Sequence, residues 1–183
     1  MEAGAASGWP GTDWLENIVL RQSGTEIYDQ WAQGKARWTS PEIKNAWQTW
    51  GTIVADPRMV FGGRQSMLAT NFGDAGNPMF TNPPRCFFHQ QGNFMSSFFT
   101  QADPTLKPVE DMNFVGFPAI DTRYEGLQEV GGDLFGMFKD TPQARALMQY
   151  LNTGQLHAGY SYRSAPILRT DHTQRIQADH LRA

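Results

Sequence analysis

The sequence predicts an α/β domain, with a short mixed sheet packed against helices and an irregular C-terminal tail. Apolar residues recur at helical spacing in several segments, and short apolar runs between Gly and Pro residues are typical of buried strands. Alternation of such helices and strands indicates an α/β fold. The composition turns polar after residue 153, so we expect an α/β lobe over 1–153 and an atypical polar tail over 154–183, either disordered or used in association.

The first predicted elements are two helices separated by a glycine. Thr12 can cap a helix that has Asp13 in its first turn and that ends near Gly24. A second short helix is expected over 26–33, closed by Gly34. The two helices would form the N-terminal part of the lobe.

The tryptophans near these helices are predicted to have different roles. Trp9 precedes the first helix on a Pro-Gly turn, whereas Trp14 lies in its apolar stripe. We therefore expect Trp14 to fill the core and Trp9 to be the candidate platform for a flat ligand.

A third helix is the clearest prediction. Ser40 stands at the cap, Pro41 at the first helical position, and an "ADP" sequence ends the pattern. Its apolar face is formed by Ile43, Trp47, Trp50 and Val54. Both tryptophans of this helix are assigned to the core.

The middle of the chain is rich in Gly, Asn and Pro, with brief elements between turns. A short helix is expected over 64–69 and another over 93–101. The apolar runs 85–90 and 112–120 are predicted to be buried strands, and 129–139 a strand interrupted by glycines. Pro142 then starts a last helix, whose inner face comprises Ala146, Leu147, Tyr150 and Leu151.

Composition excludes several functional classes. The net charge of -3 is spread without long runs, which disfavours a nucleic-acid partner. Cys86 is the single cysteine, so neither an internal disulfide nor a multi-cysteine metal cage is possible. No segment is apolar enough for a membrane span, and the first residues lack a signal-peptide pattern, so the chain as written is expected in the cytoplasm.

Catalytic and metal sites receive little support from the residue spacing. Cys86 and His89 would point to opposite faces of a strand, which disfavours a thiol catalyst. A glycosidase needs two carboxyl groups about 5 to 9.5 Å apart, and the sequence does not show which of its acids converge. The candidate acids are Asp13, Glu16, Asp74, Asp111, Asp121 and Asp133. His157, His172 and His180 lie in the tail without metal-site spacing, and no phosphate-binding glycine motif is present.

Aromatic and amide residues favour a binding surface for a sugar. A pyranose offers an apolar face and a rim of hydroxyls, which suit a flat ring bordered by Asp, Asn, Gln or Arg. Trp9 beside Asp13 has this chemistry, and so does the junction of a strand and a helix at 89–94. For each aromatic residue alone, core packing is the better interpretation.

Several blocks of the sequence resemble the carbohydrate branch of ABC-transporter extracellular solute-binding proteins, typified by α-glucoside binders and distantly similar to maltose-binding protein. The resemblance covers about residues 2–152 and rests on "EAGAASGWPGTDWLENIVLRQSG", "YDQWAQGKARWTSPEIKNAWQTWG", "FFHQQGNFMSSFF", "FPAID" and "GGDLFGMFKDTPQARALMQYL". It implies one lobe of the periplasmic binding protein type II fold, mostly the second lobe, as a truncated piece. The tail after Asn152 departs from the family.

The resemblance also implies a function. Such proteins bind an oligosaccharide or glucoside in a cleft between two lobes and present it to a membrane permease, without catalysis, cofactor or metal. By residue, it implies ligand contacts at Trp9, Asp13, Gln91, Gly92, Phe94, Gly132 and Asp133. The parent family acts in the periplasm or outside the cell.

The part of the family that this chain represents limits the expected affinity. A single lobe would supply half of the cleft contacts, so binding is expected to be millimolar or absent. The exposed surface between the lobes could be covered by a homo-oligomer. Two alternatives stay open: a repurposed interaction or self-associating module, and a glycoside hydrolase.

Overall fold

The computed structural model describes residues 8–131 and 135–152, which belong to two units divided between Gly131 and Gly132. The described part is helical. The α-helices are α1 (Trp9–Ala32), α2 (Pro41–Ala55), α3 (Gly63–Ala69), α4 (Met95–Ala102) and α5 (Pro142–Leu151). Short 3-10 helices span Asn77–Phe80 and Thr122–Tyr124.

The predicted mixed sheet is wrong. Over 8–131 and 135–152 the chain forms no strand, and its one β-type pairing is an isolated bridge between Pro108 and Met112. The side chains of Phe87, Phe88 and Val115, expected inside buried strands, are 79%, 80% and 82% exposed. A strand must pair its backbone groups with a neighbouring strand, and these apolar runs have no such partner within the described residues.

Helix α1 begins earlier than predicted. Its first residue is Trp9, preceded by Gly8 in the left-handed region with φ 66°. Pro10 lies within the first turn, where its missing N–H leaves no helical hydrogen bond unmade. Thr12 is therefore inside the helix and donates its hydroxyl hydrogen to the Trp9 carbonyl, 2.9 Å away, instead of capping the helix. Trp9 is part of α1 and does not stand on a separate turn.

The predicted break at Gly24 is confirmed as a kink. Gly24 has φ 78° and ψ 178°, a conformation that interrupts the helical path between the two halves of α1. The second half continues to Ala32 and ends near Gly34, as its sequence indicates. The two predicted helices thus form one kinked element.

The core lies where α1 meets α2. It consists of five buried side chains from the two helices, Leu15, Ile18, Val19, Ile43 and Ala46. Trp14 and Trp50 pack partly buried against it, which agrees with their predicted role. Trp47 is 44% exposed, so its assignment to the core is wrong. Helix α2 presents Ile43 and Ala46 to α1, which leaves Trp47 at the edge of the contact.

The predicted brief helices correspond to α3 and α4. In the second unit, α5 starts at Pro142 as predicted, and the Thr141 hydroxyl caps it by accepting a hydrogen bond from the Ala144 N–H at 3.1 Å. The predicted inner face of α5 is wrong, since Leu147 and Tyr150 are 55% and 57% exposed. The proposed boundary between residues 153 and 154, and the tail, lie outside the described residues.

None of the helices within 8–131 and 135–152 combines the length and apolar character that a membrane-spanning helix needs.

Candidate functional site

One face of α1 carries the predicted site residues of this helix. Trp9, Asp13, Glu16 and Asn17 follow one another at helical spacing, so their side chains lie on the same side of the first two turns. Two side-chain clusters form along this face. We call Trp9, Phe72, Phe94 and Phe98 the aromatic cluster, and Asp13, Glu16 and Glu129 the carboxyl cluster.

The aromatic cluster joins α1 to the segment that leads into α4. The Trp9 ring centroid lies 5.3 Å from that of Phe72 and 6.2 Å from that of Phe94. Phe98 lies 5.2 Å from Phe72 and 6.2 Å from Phe94. The rings meet edge-on or tilted, the geometries that aromatic pairs prefer. Trp9 is half-buried, and Phe94 remains 41% exposed, so the cluster presents aromatic surface to solvent.

Glycines allow these rings to approach the backbone. A Cβ atom at Gly92 would lie 2.6 Å from the Phe94 ring, and one at Gly73 would lie 2.8 Å from the Phe98 ring. The Gln91 side-chain oxygen accepts a hydrogen bond from the Gly92 N–H at 2.7 Å. Contacts within the 91–94 segment therefore shape it. The Phe94 ring occupies the space that a side chain at position 92 would need, which explains the glycine there.

The carboxyl cluster lies one to two turns further along α1. One oxygen of each of Asp13, Glu16 and Glu129 lies within 4.8 Å of the others. The Asn17 side-chain amide donates to a Glu129 oxygen and, at 3.0 Å, to the Asp13 carbonyl. The Tyr28 hydroxyl donates to a Glu16 oxygen at 2.9 Å. The cluster is thus a half-buried hydrogen-bonded network.

Burial and neighbouring charges raise pKa values in and beside the carboxyl cluster. Burial and the neighbouring charge of Glu16 raise the pKa of Asp13 to about 6. The pKa of Glu129 is raised to about 8. Burial is the largest cause, followed by the charge of Glu16, a hydrogen bond with Glu16 and the charge of Asp13, while the charge of Arg21 acts in the opposite direction. Burial and the hydrogen bond to Glu16 also raise the pKa of Tyr28. At neutral pH the cluster therefore retains a proton.

Arg21 is the cation beside this network. Its side chain is only 3% exposed, and it donates to the Asn17 side-chain oxygen at 2.8 Å and to the Phe117 carbonyl at 3.1 Å. Its guanidinium carbon also lies 5.0 Å from the centre of the Phe117 ring. Burial lowers the pKa of Arg21, and the charge of Glu129 opposes that shift. Arg21 thus orients Asn17 toward the carboxyl cluster.

Three clustered carboxyl oxygens are also a group that can bind a metal cation. The Glu16 and Glu129 oxygens already accept hydrogen bonds from Tyr28 and Asn17, and the buried Arg21 places a positive charge nearby. These hydrogen bonds and the charge of Arg21 compete with a cation for the Glu16 and Glu129 oxygens, and we assign no metal to the cluster.

Two surface cavities lie away from both clusters. One of about 230 Å³ is bordered by Val54, Ala55, Pro57, Val60, Gly63 and Arg64. The other, of about 240 Å³, is bordered by Asn77, Phe80, Thr81, Phe99, Ala102, Asp103 and Leu106. Neither includes a residue that the sequence analysis assigned to the ligand.

The structure brings together four of the seven predicted site residues: Trp9, Gln91, Gly92 and Phe94. Asp13 lies one turn further along α1, in the carboxyl cluster. Gly132 and Asp133 lie outside the described residues.

Sequence reasoning missed the partners that complete the clusters. Phe98 could have been found from its spacing of one helical turn after Phe94. Glu129 gave no local signal, since 112 positions separate it from Asn17. A contact of that range is set by the fold and not by any sequence window.

The chain is similar to two curated binding proteins. It is 38% identical over 157 residues, or 86% of its length, to the osmoprotective compounds-binding protein GgtB of Synechocystis sp.. It is 35% identical over 162 residues, or 85% of its length, to the alpha-glucosides-binding periplasmic protein AglE of Rhizobium meliloti. The chain spans about a third of the length of these relatives, 36% and 34% respectively. No protein-family model and no solved structure matches it.

Proposed function

Because the chain is homologous to a stretch of carbohydrate-type solute-binding proteins, as its sequence predicts, we propose that it forms part of the sugar-binding component of an ABC importer. The observation that carries the proposal is the similarity to two binding proteins over most of the chain. The name of one relative specifies alpha-glucosides, so an α-glucoside is the ligand class we propose.

The aromatic cluster is the proposed sugar platform. Its exposed surface at Phe94, with Trp9 beside it, suits the apolar face of a pyranose ring. Asp13 follows one turn along α1, where a carboxyl could accept hydroxyl hydrogens, and Gln91 supplies an amide. Gly132 and Asp133 complete the proposed site on sequence resemblance alone.

Affinity should be weak in this chain. The relatives are about three times as long as the part that it matches, and a cleft that closes around a sugar needs contacts from both lobes. We propose a dissociation constant in the millimolar range, which corresponds to about 4 kcal/mol of binding free energy. The complete parent would deliver its sugar to a permease from the periplasm or the extracellular side.

Substitution of the platform rings tests this proposal. We expect Trp9→Ala and Phe94→Ala each to weaken maltose binding about two- to tenfold, because a ring contact contributes about 0.5 to 1.5 kcal/mol. Asp133→Ala tests the residue proposed from resemblance. Trp38→Ala is the matched control, since Trp38 is 58% exposed and packs on Trp31, outside the cluster. NMR titration measures the maltose affinity of each variant. If Trp9→Ala, Phe94→Ala and Asp133→Ala bind maltose as tightly as the Trp38→Ala control, the site is rejected.

The converging carboxyl groups favour one second candidate, a glycoside hydrolase. Retaining enzymes hold two carboxyl groups about 5 to 5.5 Å apart, one of them with a raised pKa. The carboxyl cluster has a raised pKa at Glu129, whereas its oxygens lie within 4.8 Å of one another and Glu129 is hydrogen-bonded to Glu16, which is closer than that spacing. However, Asn17 and Tyr28 occupy the oxygens of this network, and both relatives are named as binding proteins. We expect no turnover of a chromogenic α-glucoside, and turnover abolished by Glu129→Gln would establish the hydrolase.

Self-association is a separate proposal from the sequence analysis. Phe87 and Phe88 are 79% and 80% exposed, and such adjacent apolar rings can support contacts between copies. Light scattering at increasing concentration tests it, and a constant monomer mass would contradict it.

A further inference from the structure

The carboxyl cluster joins two parts of the chain that are distant in sequence. Asp13 and Glu16 belong to α1, whereas Glu129 belongs to the last residues of the first unit, which ends at Gly131. Upstream, the same stretch is held to α1 by the Asp121 N–H, which donates to the Arg21 carbonyl at 3.1 Å. Arg21 thus fixes one end of the 121–131 stretch, and Glu129 fixes the other.

The balance of charges around Glu129 indicates that a bound proton is needed to hold this end of the 121–131 stretch on α1. Three carboxyl groups lie within 4.8 Å of one another, and Arg21 is the cation among the described residues that acts on Glu129. Full ionisation would leave two uncompensated negative charges in a half-buried network. The groups facing Glu129 are Glu16, Asp13, Asn17 and Tyr28 from α1, besides Arg21.

Apolar packing adds little at this end of the stretch. Val130, next to Glu129, is 75% exposed. Among the described residues, two side-chain hydrogen bonds therefore hold this end to α1, one donated by Asn17 to Glu129 and one between Glu129 and Glu16. Ionisation of both Glu16 and Glu129 would oppose those contacts with like-charge repulsion.

We propose that Glu129 forms a pH-sensitive latch with Glu16, which holds the 127–131 segment on α1 while Glu129 keeps its proton and frees the segment when that proton is lost. The direction follows from linkage: a carboxyl that binds its proton more tightly in the folded state stabilises it below the unfolded pKa, and this contribution disappears as pH rises through the folded pKa. Release is therefore expected near pH 8. Between the ordinary carboxyl pKa and this value the ratio of open to closed molecules should rise by up to about tenfold per pH unit, the limit for loss of one proton, and above about pH 8 it should level off because both states have then lost the proton.

Backbone ¹⁵N relaxation of Val130 and Gly131 tests the latch, together with the ¹³C titration of the Glu129 carboxyl. We expect ordered amides at about pH 6 and fast motion at about pH 9, with a midpoint that coincides with the carboxyl titration. Glu129→Gln should stay ordered throughout, since its amide carries no charge. Glu125→Gln is the matched control, because Glu125 is exposed on the same 121–131 stretch, and it should behave as the unsubstituted chain does.

A second variant keeps the test decisive if Glu129→Gln fails to fold. Glu16→Gln removes one like charge while keeping an oxygen for Tyr28, so the segment should stay ordered at about pH 9. All samples contain EDTA. Motion that is independent of pH, loss of order in Glu129→Gln at the same midpoint, or release by EDTA at about pH 6 would each overturn the proton latch.

Discussion

At the scale of the residue, burial decides what each apolar side chain contributes. Ile43 is fully buried, whereas Trp47, four positions later on the same helix, is 44% exposed. The apolar period identifies the face of a helix, but the width of its contact with α1 decides which members of that face are covered. Free energy from burial therefore comes from the covered side chains, which include the five of the α1–α2 contact and others such as Met95 and Phe99.

Ile18 should be among the most sensitive of these residues. It is 0% exposed between α1 and α2, so Ile18→Ala removes buried methyl groups and leaves a cavity. We expect the free energy of unfolding to fall by about 2 to 5 kcal/mol, measured by urea titration. The control Val115→Ala, at a side chain 82% exposed, should change it by no more than about 0.5 kcal/mol. Equal effects of the two substitutions would contradict the assigned core.

At the scale of the element, the kink in α1 links the helix to the 3-10 helix at Thr122–Tyr124. Gly24 has a positive φ, and a Cβ atom there would lie 2.5 Å from the Tyr124 ring. The kink thus gives Tyr124 room beside α1. It also brings Tyr28, on the second half, within hydrogen-bonding distance of Glu16 on the first half.

Gly24→Ala should therefore destabilise the protein for two reasons, backbone strain and a clash with Tyr124. Gly34→Ala is the matched control, because Gly34 also has a positive φ but a Cβ atom there would meet nothing within 4 Å. Strain alone costs about 1 to 3 kcal/mol at such positions, and Gly24→Ala should exceed the control, because a ψ of 178° at positive φ is essentially restricted to glycine and because its Cβ atom meets Tyr124. Adding Tyr124→Ala should recover the clash component, as measured by a double-mutant cycle in urea. No difference between the two glycine substitutions would refute the close contact.

At the scale of the whole molecule, local patterns predicted helices and failed on strands. The start of α2 could be read from Ser40, Pro41 and Glu42, because residues at the first turn act locally. Ser40 is the N-cap residue as predicted, although its side chain makes no capping hydrogen bond. A strand is defined by a partner elsewhere in the chain, so the apolar run 85–90 carried no information about whether such a partner exists. Local apolar content cannot replace that partner.

The candidate site shows the same division between local and distant information. The resemblance selected Trp9 and Phe94, and the structure places their rings 6.2 Å apart. The carboxyl cluster could not be predicted, since Asn17 and Glu129 meet only through the fold.

The most direct test of the sugar-platform proposal is an NMR titration of the tryptophan indole N–H resonances with maltose. We predict that the Trp9 resonance shifts and saturates in the millimolar range, while those of Trp38 and Trp47, which are 58% and 44% exposed outside the aromatic cluster, stay in place. Glycerol at the same concentration should leave Trp9 unshifted. A maltose titration that moves Trp38 or Trp47 instead, or that moves no tryptophan at all, would contradict the proposal.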